Sequence, residues 1–357
     1  MAPVVRRLAA RPDAETLVCV TAQHREMLDQ VTRLFDIVPD VDLDLMRPSQ
    51  TLAGLTAESV SRFDEVLGRL LPDVVLVQGD TTTAMACALA SFYRRIPVGH
   101  VEAGLRTGNR YRPFPEEINR RIITTLTSWN FAPTPRAVAA LEAEGVARET
   151  IFLTGNTVID ALLEITGRPE RPGEAPPYPS DGLRLVLVTA HRRESFGKPF
   201  EDLCSALREI ALRHLDVEIV YPVHLNPNVQ EPVRRILGDV PRVRLIEPLG
   251  YLAFCRLMSR STLILTDSGG VQEEAPALGV PVLVMREETE RPEAVEAGVA
   301  RLVGTDPGRI VGSATALLGD ETARRGMAKG ASPFGDGRAA ERIVGVLLDG
   351  QADTFAG

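Results

Sequence analysis

Short runs of β-branched and other apolar residues alternate with longer amphipathic stretches along almost the whole chain. In the first half, strands are predicted at residues 15–22, 73–80, 96–104 and 151–155, and helices at 24–35, 51–71 and 81–95. The alternation restarts later, with predicted strands at 183–190, 217–223, 243–248, 261–267, 280–285 and 300–304. Such alternation is typical of βαβ units, whose parallel sheets carry helices on both faces. We therefore expect an α/β protein.

A stretch rich in proline and glycine, GRPERPGEAPPYPSDG (167–182), separates the two halves and has almost no apolar periodicity. It predicts a linker between a first doubly wound, Rossmann-like domain (1–166) and a second (183–335). A last helix is predicted from Asp336 to Leu348, within a C-terminal segment (336–357). Two such domains facing one another are expected to leave a ligand cleft between the carboxyl ends of their sheets.

Several classes of function are disfavoured by what the chain lacks. The net charge of -8 argues against a nucleic-acid binder. The four cysteines show no CxxC spacing, and the P-loop, GxGxxG and HExxH motifs are missing, so we expect no metal and no cofactor. No apolar run approaches the ~20 residues of a membrane span, and no signal peptide is recognisable, which predicts a cytoplasmic protein without a membrane partner.

Three carboxylates of the first domain lie where ligands of open α/β sheets bind, beyond strand ends. Asp80 follows a strand in QGDTTT (78–83), but it or a threonine could equally be the N-cap of the next helix. Glu102 closes a strand before a Gly-rich loop, where a surface ion pair with Arg106 is the alternative. Glu116 follows Pro115 at a helix start, which is also ordinary helix composition.

The second domain has the features of an anion site. His191 and two arginines follow its first strand, and Ser268-Gly269-Gly270 forms a strand-to-helix turn whose backbone N–H groups suit a phosphate. Glu273 and Glu274 lie one turn into that helix, within reach of ribose hydroxyls, and Arg291 is a candidate diphosphate partner. A basic diphosphate site combined with carboxylates predicts a nucleoside diphosphate sugar as the ligand.

Nine segments, spread over nearly the whole chain, resemble non-hydrolysing UDP-N-acetylglucosamine 2-epimerases of bacteria. They are TAQHREMLDQ (21–30), GDTTT (79–83), GHVEAGLRTG (99–108), PEEINRR (115–121), TGNTVIDAL (154–162), TAHRRESFG (189–197), YPVHLNPNV (221–229), LTDSGGVQEEAP (265–276) and ERPEAVEAG (290–298). The resemblance implies a GT-B fold whose final helix returns toward the first domain. It also implies a homodimer, no metal or nicotinamide, and a role in cell-surface polysaccharide synthesis.

By the same resemblance the substrate is UDP-N-acetylglucosamine, and UDP leaves by anti elimination and re-adds, giving UDP-N-acetylmannosamine. Matched residue by residue, the family's catalytic positions are Asp80, Glu102, Glu116 and His191. Its UDP-binding positions match Phe254, Ser268, Glu274 and Arg291, with Gly269 and Gly270 in the same turn. Which carboxylate acts as acid or base on each face is left open.

Two departures from the family pattern stand out. The family opens with a strand and a G-T-R-P-E loop, and this chain starts after them with MAPVVRRLAAR (1–11), whose apolar residues have helical spacing. We expect a misplaced start, so that the 357-residue form is nearly inactive compared with one read from further upstream. Gln23 and His24 match an effector site for a second UDP-N-acetylglucosamine, but Glu26 and Ser49 replace a Gln and an Arg of strongly regulated members.

Three other functions fit parts of the pattern. A GT-B glycosyltransferase that uses a UDP-sugar donor would share the fold and the nucleotide site. A hydrolysing relative would release free N-acetylmannosamine and UDP. A nucleotide-sugar sensor would bind the same ligand without turnover.

Overall fold

The computed structural model describes the chain except for residues 23, 24, 48, 171–175, 177, 329–331, 351, 352 and 357 and the side chains of residues 25–27. It divides into two compact units. The first consists of Met1–Ala161 together with Phe334–Gly357, and the second is Leu162–Pro333. The stretch predicted as a linker, residues 167–182, belongs to the start of the second unit.

In the first unit, short parallel strands alternate with helices. The strands are β1 (Cys19–Val20), β2 (Val41–Asp42), β3 (Val75–Gln78), β4 (Val98–Val101), β5 (Trp129–Ala132) and β6 (Ile151–Leu153). The helices are α1 (Ala2–Ala9), α2 (Arg25–Leu34), α3 (Leu52–Leu70), α4 (Thr82–Tyr93), α5 (Glu116–Leu126), α6 (Pro135–Ala143), α7 (Thr157–Thr166), which continues into the second unit, and, late in the chain, α15 (Ala339–Val344).

The strands of this unit fall into two sheets. Strands β3 to β6 pair in sequence order, and β1 pairs only with β2 among the described residues. Because β1 comprises only Cys19 and Val20, the strand predicted over 15–22 is much shorter than expected. Part of the reason lies at its start, where the Asp40 carboxylate accepts the backbone N–H of Val18 at 2.7 Å.

Two apolar layers cover the four-stranded sheet. On one side Val75, Val77 and Val98 pack with apolar residues of α3, α4 and α5. On the other, Val101 and Phe131 pack with α1 and α15. The helix predicted over 336–348 begins at Ala339 and ends in a π-helical turn, Gly345–Asp349. The Asp160 carboxylate accepts two backbone N–H groups at its start, at 3.1 and 2.8 Å.

The second unit is a doubly wound six-stranded parallel sheet. Its strands are β7 (Arg184–Thr189), β8 (Val217–Pro222), β9 (Val243–Ile246), β10 (Leu263–Thr266), β11 (Val282–Val284) and β12 (Ala300–Leu302). Its further helices are α8 (Lys198–Arg213), α9 (Pro227–Leu237), α10 (Tyr251–Ser259), α11 (Gly269–Ala277), α12 (Pro292–Glu296), α13 (Pro307–Gly319) and α14 (Glu321–Ala328). The predicted α/β fold with parallel sheets is confirmed.

The strand order of this sheet is β12-β11-β10-β7-β8-β9. From β7 the chain first adds β8 and β9 on one side and then β10, β11 and β12 on the other, so the strand order reverses between β7 and β10. Ligands of doubly wound sheets bind at such a switch point. The two strands end in register, with Thr189 beside Thr266 and their hydroxyls 2.6 Å apart. The residues that follow these threonines therefore meet at one place.

In the part of the chain that is described, no helix has the length and apolar character needed to cross a bilayer.

Candidate functional site

The switch point of the second unit is organised by a residue that the sequence prediction missed. Asp267 follows β10 and is almost fully buried. One carboxylate oxygen, Oδ2, accepts the backbone N–H groups of His191 and Arg192 at 2.6 and 2.7 Å. These contacts fasten the segment after β7 to the end of β10. The Asp267 position at the end of LILTD, directly before the Ser-Gly-Gly turn, was the available signal.

The predicted site residue His191 lies in the segment held by Asp267, and its side chain is partly exposed. Its Nδ1 is 3.6 Å from Asp267 Oδ1, and its ring stacks on His224 with centroids 5.3 Å apart. Burial lowers the pKa of His191, and the charges of His224 and Arg192 lower it further, while Asp267 raises it. The imidazole is thus a weaker base than usual in the unbound protein.

Ser268 lies between β10 and α11, and Gly269 and Gly270, predicted to form the turn with it, are the first two residues of α11. Ser268 is the N-cap residue, and among the described residues the helix start has no side-chain capping hydrogen bond, so its first N–H groups are left for another acceptor. A methyl group built on Gly269 would lie 3.8 Å from the Arg192 guanidinium. Free N–H groups at the start of a nine-residue helix, with an arginine beside them, suit an anion such as phosphate.

Glu274 is buried one turn into α11. Its Oε1 accepts a hydrogen bond from the Tyr251 hydroxyl at 2.8 Å. Burial raises the pKa of Glu274 to about 7, the neighbouring Glu273 acts in the same direction, and the tyrosine hydrogen bond opposes them. Phe254 lies one turn after Tyr251 on α10.

Arg291 precedes α12 and forms an ion pair with Glu273 of α11. A second link runs alongside it. The Thr289 hydroxyl donates to Gln272 Oε1 at 2.5 Å, and Gln272 Nε2 donates to the Ser268 carbonyl at 3.1 Å. The structure thus connects Arg291 to the same helix start as Ser268. Gln272 and Thr289 were given no role in the sequence prediction, whereas Glu273 was predicted, together with Glu274, to reach ribose hydroxyls.

In the first unit, Asp80 follows β3 and is held by α5. Arg120 donates to Asp80 Oδ2 from Nε at 3.0 Å and from Nη2 at 2.6 Å, and Asn119 donates to the Asp80 carbonyl at 2.9 Å. The helix cap of α4 is Thr81, whose hydroxyl accepts the Ala84 N–H at 3.1 Å. Capping is therefore the role of the threonine, and the Asp80 carboxylate is left as a charged group held by an arginine.

Glu102 follows the neighbouring strand β4. Its backbone lies in the left-handed region, with φ of 67°, which is uncommon for a residue with a side chain. Gln78 Nε2 lies 3.4 Å from Glu102 Oε2, at the adjacent strand end. Arg106, the alternative partner considered for Glu102, instead pairs with Glu144 through Nε and Nη2, both at 2.9 Å.

Glu116 begins α5, and its Oε2 is buried without a hydrogen-bond partner among the described residues. The next residue, Glu117, is fully buried and accepts the backbone N–H groups of Thr107 and Gly108 at 3.0 and 3.3 Å. Adjacent glutamates therefore differ, since one is satisfied by the loop after β4 and the other has an unused oxygen.

A further residue that sequence reasoning missed lies behind Asp80. His100 on β4 is fully buried, and its Nε2 is 2.8 Å from the Gly79 carbonyl oxygen. Burial lowers the pKa of His100 to about 4, so the ring is neutral and donates this hydrogen bond. It fixes the peptide that precedes Asp80.

The predicted effector residues Gln23 and His24 lie outside the described residues. Ser49, which stands where strongly regulated members have an arginine, is described and has a positive φ of 57°. Among the side chains that are described, no group of three or more His, Cys, Asp or Glu is arranged to hold a metal ion.

A family model described as UDP-N-acetylglucosamine 2-epimerase matches residues 6–348. The chain belongs to this family. The UDP-N-acetylglucosamine 2-epimerase of Escherichia coli strain K12 is 56% identical over 354 residues, which are 97% of this chain and 94% of that protein. Its Salmonella typhimurium counterpart is 54% identical over 354 residues, with the same coverage of both chains.

Solved structures of epimerases agree with the fold. The Neisseria meningitidis UDP-GlcNAc 2-epimerase, bound to UDP-GlcNAc, has a TM-score of 0.87 and 47% identity, covering 98% of this chain and 96% of that one. The Methanocaldococcus jannaschii enzyme, in complex with UDP-GlcNAc and UDP, has a TM-score of 0.78 and 33% identity, covering 98% and 95%. The fold is thus GT-B-like, as the resemblance implied, with two Rossmann-like units.

Proposed function

We propose that this chain inverts C2 of UDP-N-acetylglucosamine reversibly, giving UDP-N-acetylmannosamine without a metal or a nicotinamide cofactor. The observation that carries the proposal is the switch point of the second unit. There the open N-terminus of α11, with its Ser268-Gly269-Gly270 turn, lies next to His191 and Arg192. Backbone N–H groups and cationic side chains together match a diphosphate.

The second unit supplies the nucleotide contacts in this proposal. His191, Arg291 and the turn with Ser268 hold the diphosphate, whose negative charge grows as UDP departs. Glu274 accepts hydrogen bonds from ribose hydroxyls, and Phe254 contacts the base side of the nucleotide. Fixed donors aimed at a developing charge are usually the largest single contribution to catalysis.

The first unit supplies the acid and base groups Asp80, Glu102 and Glu116. One of them takes the C2 proton, the electron pair of the C2–H bond forms a C1=C2 double bond, and the C1–O bond to UDP breaks. The enzyme then holds 2-acetamidoglucal and UDP. UDP oxygen re-adds to C1 while a second group protonates C2 from the opposite face. Because no carbonyl flanks C2, its hydrogen is not acidic, and stabilisation of the departing UDP must drive its removal.

A glycosyltransferase would use the same nucleotide contacts but would leave the three carboxylates without a role, and membership of the epimerase family disfavours it. A hydrolysing relative and a sensor without turnover differ from the proposal only in the products. Product analysis therefore separates all four functions.

The test is incubation with UDP-N-acetylglucosamine in deuterium oxide, without added metal or NAD, followed by proton NMR of the anomeric region. The expected product is UDP-N-acetylmannosamine with deuterium at C2. Free N-acetylmannosamine or an unchanged substrate would refute the proposed function, and product that keeps the original C2 hydrogen would refute the elimination mechanism.

Three further properties of the family belong to the proposal. We propose a homodimer, a cytoplasmic enzyme that serves cell-surface polysaccharide synthesis, and a second UDP-N-acetylglucosamine at Gln23 and His24. Light scattering coupled to size-exclusion chromatography tests the dimer. A sigmoidal dependence of rate on substrate that becomes hyperbolic in Gln23→Ala tests the effector site, and a hyperbolic dependence in the parent would refute it.

A further inference from the structure

The two oxygens of the Asp267 carboxylate are in different situations. Oδ2 accepts two backbone N–H groups, from His191 and Arg192. Oδ1 is buried and has no hydrogen-bond partner among the described residues. A buried acceptor left unsatisfied costs roughly 1–3 kcal/mol, more when it is charged, so such a group calls for a partner in some state of the protein.

The partner that the geometry offers is His191. Its Nδ1 lies 3.6 Å from Asp267 Oδ1, slightly beyond hydrogen-bond distance. Because Nδ1 faces the carboxylate, the other ring nitrogen, Nε2, is directed away from Asp267. The His191 side chain is 41% exposed, so a ligand has access to the ring.

Groups on three segments set the charge of this imidazole. Asp267 after β10 favours the protonated form, whereas His224, stacked on the ring after β8, and Arg192 next to it in the chain disfavour it. Burial also disfavours it, and together these effects hold the pKa of His191 below its usual value. An added anion would tip this balance toward the imidazolium form.

We propose that Asp267 is a positioning residue that turns His191 into a cationic donor when nucleotide binds. The ring takes up one proton from solution, its Nδ1–H donates to Asp267 Oδ1, and its Nε2–H donates to the diphosphate. This inference rests on the proposed function for the identity of the diphosphate. It explains how one histidine is neutral in the empty site and charged when the leaving group needs stabilisation.

The first measurement is the proton balance of UDP binding, obtained by titration calorimetry at pH 8 in buffers with different ionisation enthalpies. The parent protein is expected to take up a proton, up to about one per UDP, by linkage. His191→Gln should abolish the uptake. His214→Gln is the matched control, because His214 is another histidine of the same unit that bonds Thr315 instead, and it should leave the uptake unchanged.

Asp267→Asn tests the positioning role. A single Asn oxygen can still accept both backbone N–H groups, but the Asn amide would donate to Nδ1 and favour the opposite tautomer. We expect the uptake to vanish and kcat to fall by ~10²–10⁴-fold. If this variant does not fold, nitrogen NMR of histidine-labelled parent with UDP still decides, because both His191 nitrogens should carry protons.

The outcomes distinguish a failure of this inference from a failure of the proposed function. UDP that binds the parent without proton uptake, or with a neutral His191 ring, would overturn the inference and leave the proposed function intact. Equal uptake in Asp267→Asn and parent would also overturn it. A parent that does not bind UDP would overturn both.

Discussion

Replacing Asp80 by asparagine separates a chemical role from a structural one, because the neighbouring Thr81 provides a matched control. Thr81 caps α4 through its hydroxyl, and Asp80 pairs with Arg120 through two hydrogen bonds. Asp80→Asn keeps the shape of the side chain and removes its charge, whereas Thr81→Ala removes the cap and leaves the carboxylate in place.

The two changes should cost similar stability. Hydrogen bonds to a charged group contribute ~1.5–3 kcal/mol, and the Asp80 side chain is 29% exposed, so solvent screening reduces this to about 1–2 kcal/mol. Arg120 also retains Glu117 at 3.4 Å. Loss of an N-cap costs ~0.5–2 kcal/mol. Each kcal/mol lowers Tm by about 2–4 °C for a unit of this size, so both variants should melt a few degrees early.

The turnover rates of Asp80→Asn and Thr81→Ala should differ. Loss of a positioned acid or base lowers kcat by ~10²–10⁴-fold, so Asp80→Asn should lose that much and Thr81→Ala should keep the parent's rate. The assay is chromatography of UDP-N-acetylmannosamine formed at saturating substrate, with Tm measured on the same samples. An Asp80→Asn enzyme that melts early and still turns over normally would refute the catalytic role. Equal rate losses in both variants would assign the effect to the position of α4.

Two further predictions concern the nucleotide site. Folding raises the pKa of Glu274 to about 7, so its contribution to stability is complete below the unfolded value of 4.5 and is lost as pH rises toward 7. Glu274→Gln should therefore show a smaller fall in Tm between pH 5 and pH 8 than the parent, and an equal fall would contradict the buried carboxyl. Gly269→Ala should keep its Tm, because the added methyl meets nothing closer than 3.8 Å, yet bind UDP about tenfold more weakly if phosphate approaches the backbone there. Unchanged UDP affinity by calorimetry would place the phosphate elsewhere.

The strands of the second unit were predictable because a buried parallel strand reads as a continuous apolar run. Strand β5 (Trp129–Ala132) was missed for the converse reason, since its sequence WNFA contains an asparagine. Asn130 is fully buried, and the Thr127 hydroxyl donates to its side-chain oxygen at 3.0 Å. A buried polar residue that finds its hydrogen-bond partner nearby in the chain interrupts the apolar run by which a core strand is recognised in a sequence.

The site was predictable as a set of strand ends, but the partners of its residues were not. Arg120 and Arg121 are identical and adjacent in sequence, and only Arg120 reaches Asp80. Arg121 is half exposed and lies near Glu117 and Glu144. A helix advances by about 100° per residue, so neighbours point to different surroundings. Which of them holds a carboxylate depends on where α5 packs, and no local pattern carries that information.

Glu116 and Glu117 are adjacent on α5 but differ in whether their carboxylate oxygens have hydrogen-bond partners. Glu117 is completely buried. Its carboxylate accepts two backbone N–H groups and forms ion pairs with Arg120 and Arg121. That makes it a structural residue, holding the loop that follows Glu102. Among the described residues, Glu116 and Asp267 each keep a buried carboxylate oxygen without a hydrogen-bond partner. A buried acceptor left unsatisfied destabilises the fold, so we expect a ligand or a proton to complete these two oxygens in some state of the protein. We therefore predict that Glu116 acts on the substrate and that Asp267 acts through His191.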